Sequence, residues 1–397
     1  GISGAFILSP ILLKPILHIT RTYQLSSLAD LFAFRYRSRL AGVMVTLFTL
    51  AVALPLLTLQ IAAVAESMHL LNADLPSTTL AFGFCITMVV FAILFGARHV
   101  SPREKHEGLV FALAFESLLK LVAITILGIT ALFFVFDGSG DMQSWLTANQ
   151  EQLISRQTNL QEGPWRTLLL VFFAAAVVAP HMFHVTFTEN MNPKALRPAS
   201  WGLPLFLLLM SLSVPPILWA GIYLKLEVPA EFYALGIGMA LDSIIVTTLA
   251  TAAMFLNHIV LPSYKPGPKQ DFYQWLLWVR RFLIGAILMA AYAFYRAVGA
   301  DLEITLLGIL AFVAAMQFLP GVLGVLYWPK ANRWGLITGL SIGIFVWAYT
   351  LLLPLSHLTL GWEYSISLPT TNMDNWHIAA MGSFGINLVL FVLISLI

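Results

Sequence analysis

The stretch Ala41-Gly42-Val43-Met44-Val45-Thr46-Leu47-Phe48-Thr49-Leu50-Ala51-Val52-Ala53-Leu54-Pro55-Leu56-Leu57-Thr58-Leu59-Gln60-Ile61-Ala62-Ala63 has no charged side chain. It is longer than the ~20 residues a helix needs to cross a hydrocarbon core. Similar runs, bounded by charges or turn residues, recur along the whole chain. They predict about eleven spans, at 1–18, 41–63, 78–95, 109–136, 166–188, 204–224, 234–261, 282–299, 304–328, 334–353 and 377–397. No separate soluble domain fits between them. The composition agrees: 59% of residues are hydrophobic and 10% charged, with a mean hydropathy of +0.86, against about 25% charged in an ordinary soluble domain. The chain reads as an all-α, polytopic transmembrane bundle in a lipid bilayer, and a soluble enzyme is excluded.

The charge is nearly balanced, with 21 Lys+Arg against 19 Asp+Glu, so there is no basic face for nucleic acid. One cysteine, Cys85, cannot make an internal disulfide. Counting from the loop at 19–40, alternate loops hold fifteen of the cations, while the opposite side has only Arg156, Arg166, Lys225 and Arg296. The positive-inside bias therefore makes 19–40 cytoplasmic and has the first span enter from outside. Residue 1 opens within one apolar run and Ile397 closes within another, so the natural polypeptide is expected to continue in both directions.

A few polar or helix-breaking residues inside the spans are candidates for function. Pro180, within Ala179-Pro180-His181-Met182-Phe183-His184 of the fifth span, has no amide to return to the preceding turn. A helix broken in hydrocarbon survives only where protein or a wet cavity supplies partners, and transporters use such breaks to hold solutes and ions. His181 and His184, three apart, share a face and can donate, accept or carry a proton. A kinked helix whose histidines satisfy nearby backbone is the structural alternative. Gln60 and Gln317 offer amides to a polar solute or act as interhelical glue. Glu116 and Lys120, one turn apart in the fourth span, form either an anchoring ion pair or a proton relay. Ser243, Thr247 and Thr248 of the seventh span can coordinate a hard cation or bond back to their own helix. No metal-ligand spacing, Gly-rich phosphate loop or nucleophile constellation is present in the sequence. No catalytic site or cofactor is expected in this chain.

Gln317-Phe318-Leu319-Pro320 and Leu326-Tyr327-Trp328-Pro329-Lys330-Ala331-Asn332-Arg333-Trp334-Gly335 resemble the sodium/solute symporter family, whose members include proline, pantothenate and sugar symporters. Nearly the whole chain follows that family's order. Three further segments are similar to the membrane half of CbrA-type sensor histidine kinases: the one from Thr20 to Asp30, the one from Arg103 to Leu109, and the run from His184 through Thr186 to Glu189-Asn190-Met191-Asn192-Pro193. The resemblance implies an inverted-repeat core of ten helices, with the first span here serving as the second core helix and the first core helix lying before Gly1. It makes the fifth span the broken sixth core helix, with Pro180, His181 and His184 near the substrate. Gln60 and Gln317 would line the same cavity.

The resemblance further implies cation-coupled L-histidine uptake across a bacterial-type inner membrane. A kinase half beyond residue 397 would use ATP and pass phosphate to a response regulator controlling carbon and nitrogen use. A free-standing symporter for an amino acid or other small polar solute is the alternative. Where sodium-coupled relatives carry paired hydroxyls, this chain reads Gly238-Met239-Ala240-Leu241. That departure raises a proton, carried by His181, His184 or Glu116, as a competing coupling ion to sodium.

Overall fold

In a computed structural model, the structure describes residues 1–71, 75–96, 107–150, 162–224, 272–299, 304–355 and 376–397. Among the described residues all regular structure is helical. Eight helices are long and apolar enough to cross a membrane, and a bent pair makes a ninth. The seventh predicted span, 234–261, lies outside the described residues.

The first predicted span, 1–18, needs correction: it is not one helix. It forms α1 (Ile2–Ile7) and α2 (Leu13–Thr22), separated by a turn. Pro10 has no amide to continue the ladder, so Ser9 N–H bonds back to Phe6 O at 3.0 Å and Lys14 N–H to Ser9 O at 2.8 Å. The short helix α3 (Leu28–Arg35) follows, capped by Ser27, whose Oγ accepts from Asp30 N–H at 3.0 Å.

Then come α4 (Arg39–Leu71), α5 (Ser77–Phe91), α6 (Glu107–Thr130) and α7 (Ser139–Ala148). Pro55 does not interrupt α4, and the α4 hydroxyls of Thr46 and Thr49 bond back to Gly42 O and Val45 O, both at 2.8 Å. The fifth span is α8 (Glu162–Val178) and α9 (Pro180–Phe183), continued by a π-helical turn through Thr188. The sixth is α10 (Leu196–Tyr223), which starts eight residues before the predicted boundary at 204 and runs through Pro204, Pro215 and Pro216. The eighth, α11 (Phe272–Phe294), starts ten residues before 282 because the helix runs on through Arg280 and Arg281, with Arg280 buried.

The ninth span also divides, into α12 (Ile304–Met316) and α13 (Leu319–Tyr327). Pro320 has no amide for Met316 O, and the chain tightens through Gln317 N–H to Ala314 O at 3.2 Å and Phe318 N–H to Ala315 O at 3.0 Å. Two further spans, α14 (Arg333–Trp347) and α15 (Trp376–Leu396), complete the described chain.

The spans divide into a centre and a periphery. In Ile304–Tyr327, 78% of the central stretch is buried, against 11% in Ala114–Phe133. The centre is α12 packed on α4 and α8, with α15 against both α8 and α14, while α6 packs on α10 at the edge. Small side chains let the central helices approach closely: Ala174, Ala175, Ala176 and Ala179 share one apolar core with Ala314 and Ala315. The tightest seam is α14 on α15. Gly335, Gly339 and Gly343 repeat every fourth residue along α14, and a Cβ at Gly339 would lie 2.7 Å from the backbone oxygen of Asn387. Asn332 caps α14 by accepting from Gly335 N–H at 2.8 Å, and its Nδ2 donates to Ile394 O at 3.0 Å, which fixes the register of the two helices.

Gly339→Leu should therefore destabilise the protein by about 1–3 kcal/mol, the usual range for overpacking against backbone. Gly382→Ala, where an added Cβ meets nothing within 4 Å, should leave the melting temperature unchanged or slightly raised. Thermal unfolding of the two purified variants in detergent checks the pair.

Candidate functional site

The fifth span breaks at Ala179, whose backbone is extended (φ −62, ψ 136), and its two halves meet at 48°. The alanine-rich end of α8 is buried against α12, and Pro180 starts the second half-helix as its first residue, the one position where its missing amide does no harm. Pro180 also leaves Ala176 O without its usual donor. Beyond the break the chain is short of continuous helix: four α-helical residues give way to the π-helical turn of His184–Thr188. Ends of half-helices inside a bilayer are the places where backbone groups remain available to a solute or ion.

Two histidines follow this break in different states. His181 Nδ1 is buried and makes no hydrogen bond among the described residues. An unmet polar atom of that kind costs about 1–3 kcal/mol, so it is poised to accept or donate to something that enters. His184 is partnered: its Nε2 lies 3.1 Å from Glu189 Oε1, and Glu189 is itself buried just past the end of the π-helical turn.

The other predicted site residues lie in several surroundings. Gln60 is half-buried on α4 and has no hydrogen bond among the described residues, which leaves its amide available. Its neighbour Leu59 meets α12 at Gly308, where an added Cβ would sit 3.1 Å from Leu59 Cδ1. Gly308 is nine positions before Gln317, so Gln60 lies outward of Gln317 by roughly 13 Å along α12. Gln317 is buried at the ninth-span break and is fully engaged. Its Nε2 donates to Ser383 Oγ at 3.1 Å, and Asn387 Nδ2 donates to both its backbone O at 2.7 Å and its Oε1 at 3.0 Å. Glu116 and Lys120 are 2.8 Å apart on the peripheral α6, away from the breaks. Ser243, Thr247, Thr248 and the segment Gly238-Met239-Ala240-Leu241 lie outside the described residues. Among the described residues no group of three His, Cys, Asp or Glu can hold a metal.

Sequence reasoning missed Ser383, Asn387 and the partner of His184, Glu189. The polar pair in the eleventh span is visible as two isolated residues in an apolar run. The glycine repeat on α14 was the available signal that a helix with polar groups comes close there.

No protein-family model matches the sequence. Over 230 residues the chain is 23% identical to an uncharacterized symporter, YhjB, of Bacillus subtilis (strain 168), a match covering 57% of this chain and 44% of that protein. The matched part is thus less than half the length of that curated relative. The fold is similar to that of a solved Na+-coupled sialic acid symporter in a substrate-bound, outward-open state, with a TM-score of 0.61 over 98% of this chain and 83% of that one, at 11% identity. The described residues form a polytopic, all-helical transmembrane bundle with a symporter-like fold.

The Gln317 network allows a double-mutant cycle. Asn387→Leu removes the donor to the Gln317 side-chain carbonyl, and cycling it against Gln317→Leu should give a coupling of about 0.6 kcal/mol, the average for interhelical polar pairs in membranes, and at most about 1.7 kcal/mol. Unfolding of the four proteins in mixed micelles checks the value.

Proposed function

We propose that this chain is the membrane domain of a cation-coupled solute symporter that binds a small polar solute at the break of the fifth span and works by alternating access. The observation that carries this reading is His181: an imidazole with an unpartnered, buried Nδ1, one residue past a proline that opens a bilayer-spanning helix. The symporter fold supports it, because a break of this kind is where such folds bind their cargo. Sodium is the expected coupling ion. The sodium coupling in the name of the structural neighbour supports that choice, and the non-hydroxyl stretch 238–241 keeps the proton as its competitor.

On the solute, we propose L-histidine. That choice, together with a kinase half beyond residue 397 that signals to a response regulator, rests on the resemblance of the segments at 20–30, 103–109 and 184–193 to CbrA-type kinases. A dedicated symporter without a kinase is favoured by the curated relative, which is itself named a symporter.

Uptake of labelled L-histidine into proteoliposomes carrying the intact polypeptide tests the reading. Uptake should require an imposed sodium gradient and survive a protonophore; the reverse pattern would make the proton the coupling ion. His181→Ala should lower L-histidine affinity about tenfold or more, as for a lost hydrogen bond in a dry site, while Gln317→Ala should chiefly lower stability. Equal affinity in His181→Ala and the parent protein would remove the fifth-span break from the binding site.

A further inference from the structure

The segment 26–36, between the first and second spans, joins the inner halves of both broken spans, and the two joints are unequal. Toward the ninth span the contact is deep. Phe32 is fully buried against Gly321, where an added Cβ would lie 2.9 Å from the ring. Tyr36 Oη donates to Gly321 O at 3.1 Å, and the Arg35 guanidinium donates to Trp328 O and Pro329 O, each at 3.2 Å. Burial raises the Tyr36 phenol above its usual pKa, against the opposing pull of Arg35, so it remains a donor. Toward the fifth span the polar contact is slight. Thr188 Oγ1 donates to Ser26 O at 2.8 Å, and on the surface the Arg21 guanidinium reaches Met191 O at 3.4 Å.

Between the joints the segment is stiff. Asp30 Oδ2 accepts from both the amide (3.0 Å) and the hydroxyl (2.6 Å) of Ser26, and Ser27 caps α3, so the carbonyl that receives Thr188 is held in place by the same residues that start the helix. Both spans also have a hinge outward of this segment: Ala179 precedes Thr188, and Gln317-Phe318 precedes Gly321.

We propose that residues 26–36 form the cytoplasmic bar of the solute path, fixed to α13 and released from the inner half of the fifth span when the path opens to the cytoplasm. This rests on the symport reading. The joint that yields is centred on Thr188 with Ser26, where one neutral hydrogen bond and one exposed arginine contact link the segment to the fifth span among the described residues. The joint that holds is a buried ring in a glycine notch with three further hydrogen bonds.

Cross-linking tests which joint opens. Cys85, the sole cysteine, is replaced by Ala, and Met182→Cys serves as reporter, labelled by a membrane-impermeant maleimide from the cytoplasmic side of inside-out vesicles. A thiosulfonate cross-link between Ser26→Cys and Thr188→Cys, made before the reporter is labelled, should suppress labelling, and reduction should restore it. A cross-link between Arg35→Cys and Pro329→Cys should leave labelling unchanged. Thr188→Val, without a cross-link, should speed labelling about fivefold, the order of one net hydrogen bond. Unchanged labelling in the first pair, suppression in the second, or an unchanged rate in Thr188→Val would overturn the proposal. Labelling needs no solute, so absent L-histidine uptake in the parent protein would count against the symport reading alone.

Discussion

A peptide group in hydrocarbon must have a partner, and this requirement decides where each span of the protein can bend. Among the described residues three of the predicted spans break, at Pro10, Pro180 and Pro320, and each break is bordered by a residue with no amide to give. The consequences differ with the surroundings. At Pro10 the backbone closes a turn with its own bonds, Ser9 N–H to Phe6 O, Ile11 N–H to Leu8 O and Lys14 N–H to Ser9 O. At Pro320 the freed turn is filled by protein, with Gln317, Ser383 and Asn387 completing one another's bonds. At Pro180 the structure leaves a buried imidazole nitrogen unmet. Only the last arrangement has capacity for something that comes and goes.

Close packing of small residues makes this contrast possible. α12 and α8 contribute buried alanines to one core, and α15 packs on the glycines of α14, so backbone proximity and a few buried amides add to the large apolar side chains that hold the helices around the breaks. The long peripheral helices α6 and α10 have mostly unburied faces, consistent with a lipid surround.

Most of the spans were legible in the sequence, because the length of an uncharged run is set by the thickness of the bilayer and needs no knowledge of neighbours. The break at Pro180 was legible too, since a proline inside such a run has one stereochemical consequence. The split of the first span was not, because hydropathy averages over Pro10 and Pro15 as if they were ordinary apolar residues. The eighth span started ten residues early because Arg280-Arg281 reads as a loop, while the helix keeps going and buries Arg280. The roles of Ser383 and Asn387 were hidden for a different reason: a lone amide in an apolar run acquires meaning only from the helix opposite. Gln317 was visible as a buried amide, but whether it faced a solute or a neighbour depended on those same two residues.

The order of the chain bears on how the seam between α14 and α15 is assembled. Asn387 sits midway along the last described span, an unfavourable passenger for a helix entering lipid alone. Its acceptor on Gln317 and the glycine groove of α14 both precede it in the polypeptide. During synthesis they are already made when α15 emerges, so the amide can pass from the insertion machinery to its receptor without a sojourn in bare lipid. The order of the chain thus places the polar partner ahead of the residue that needs it.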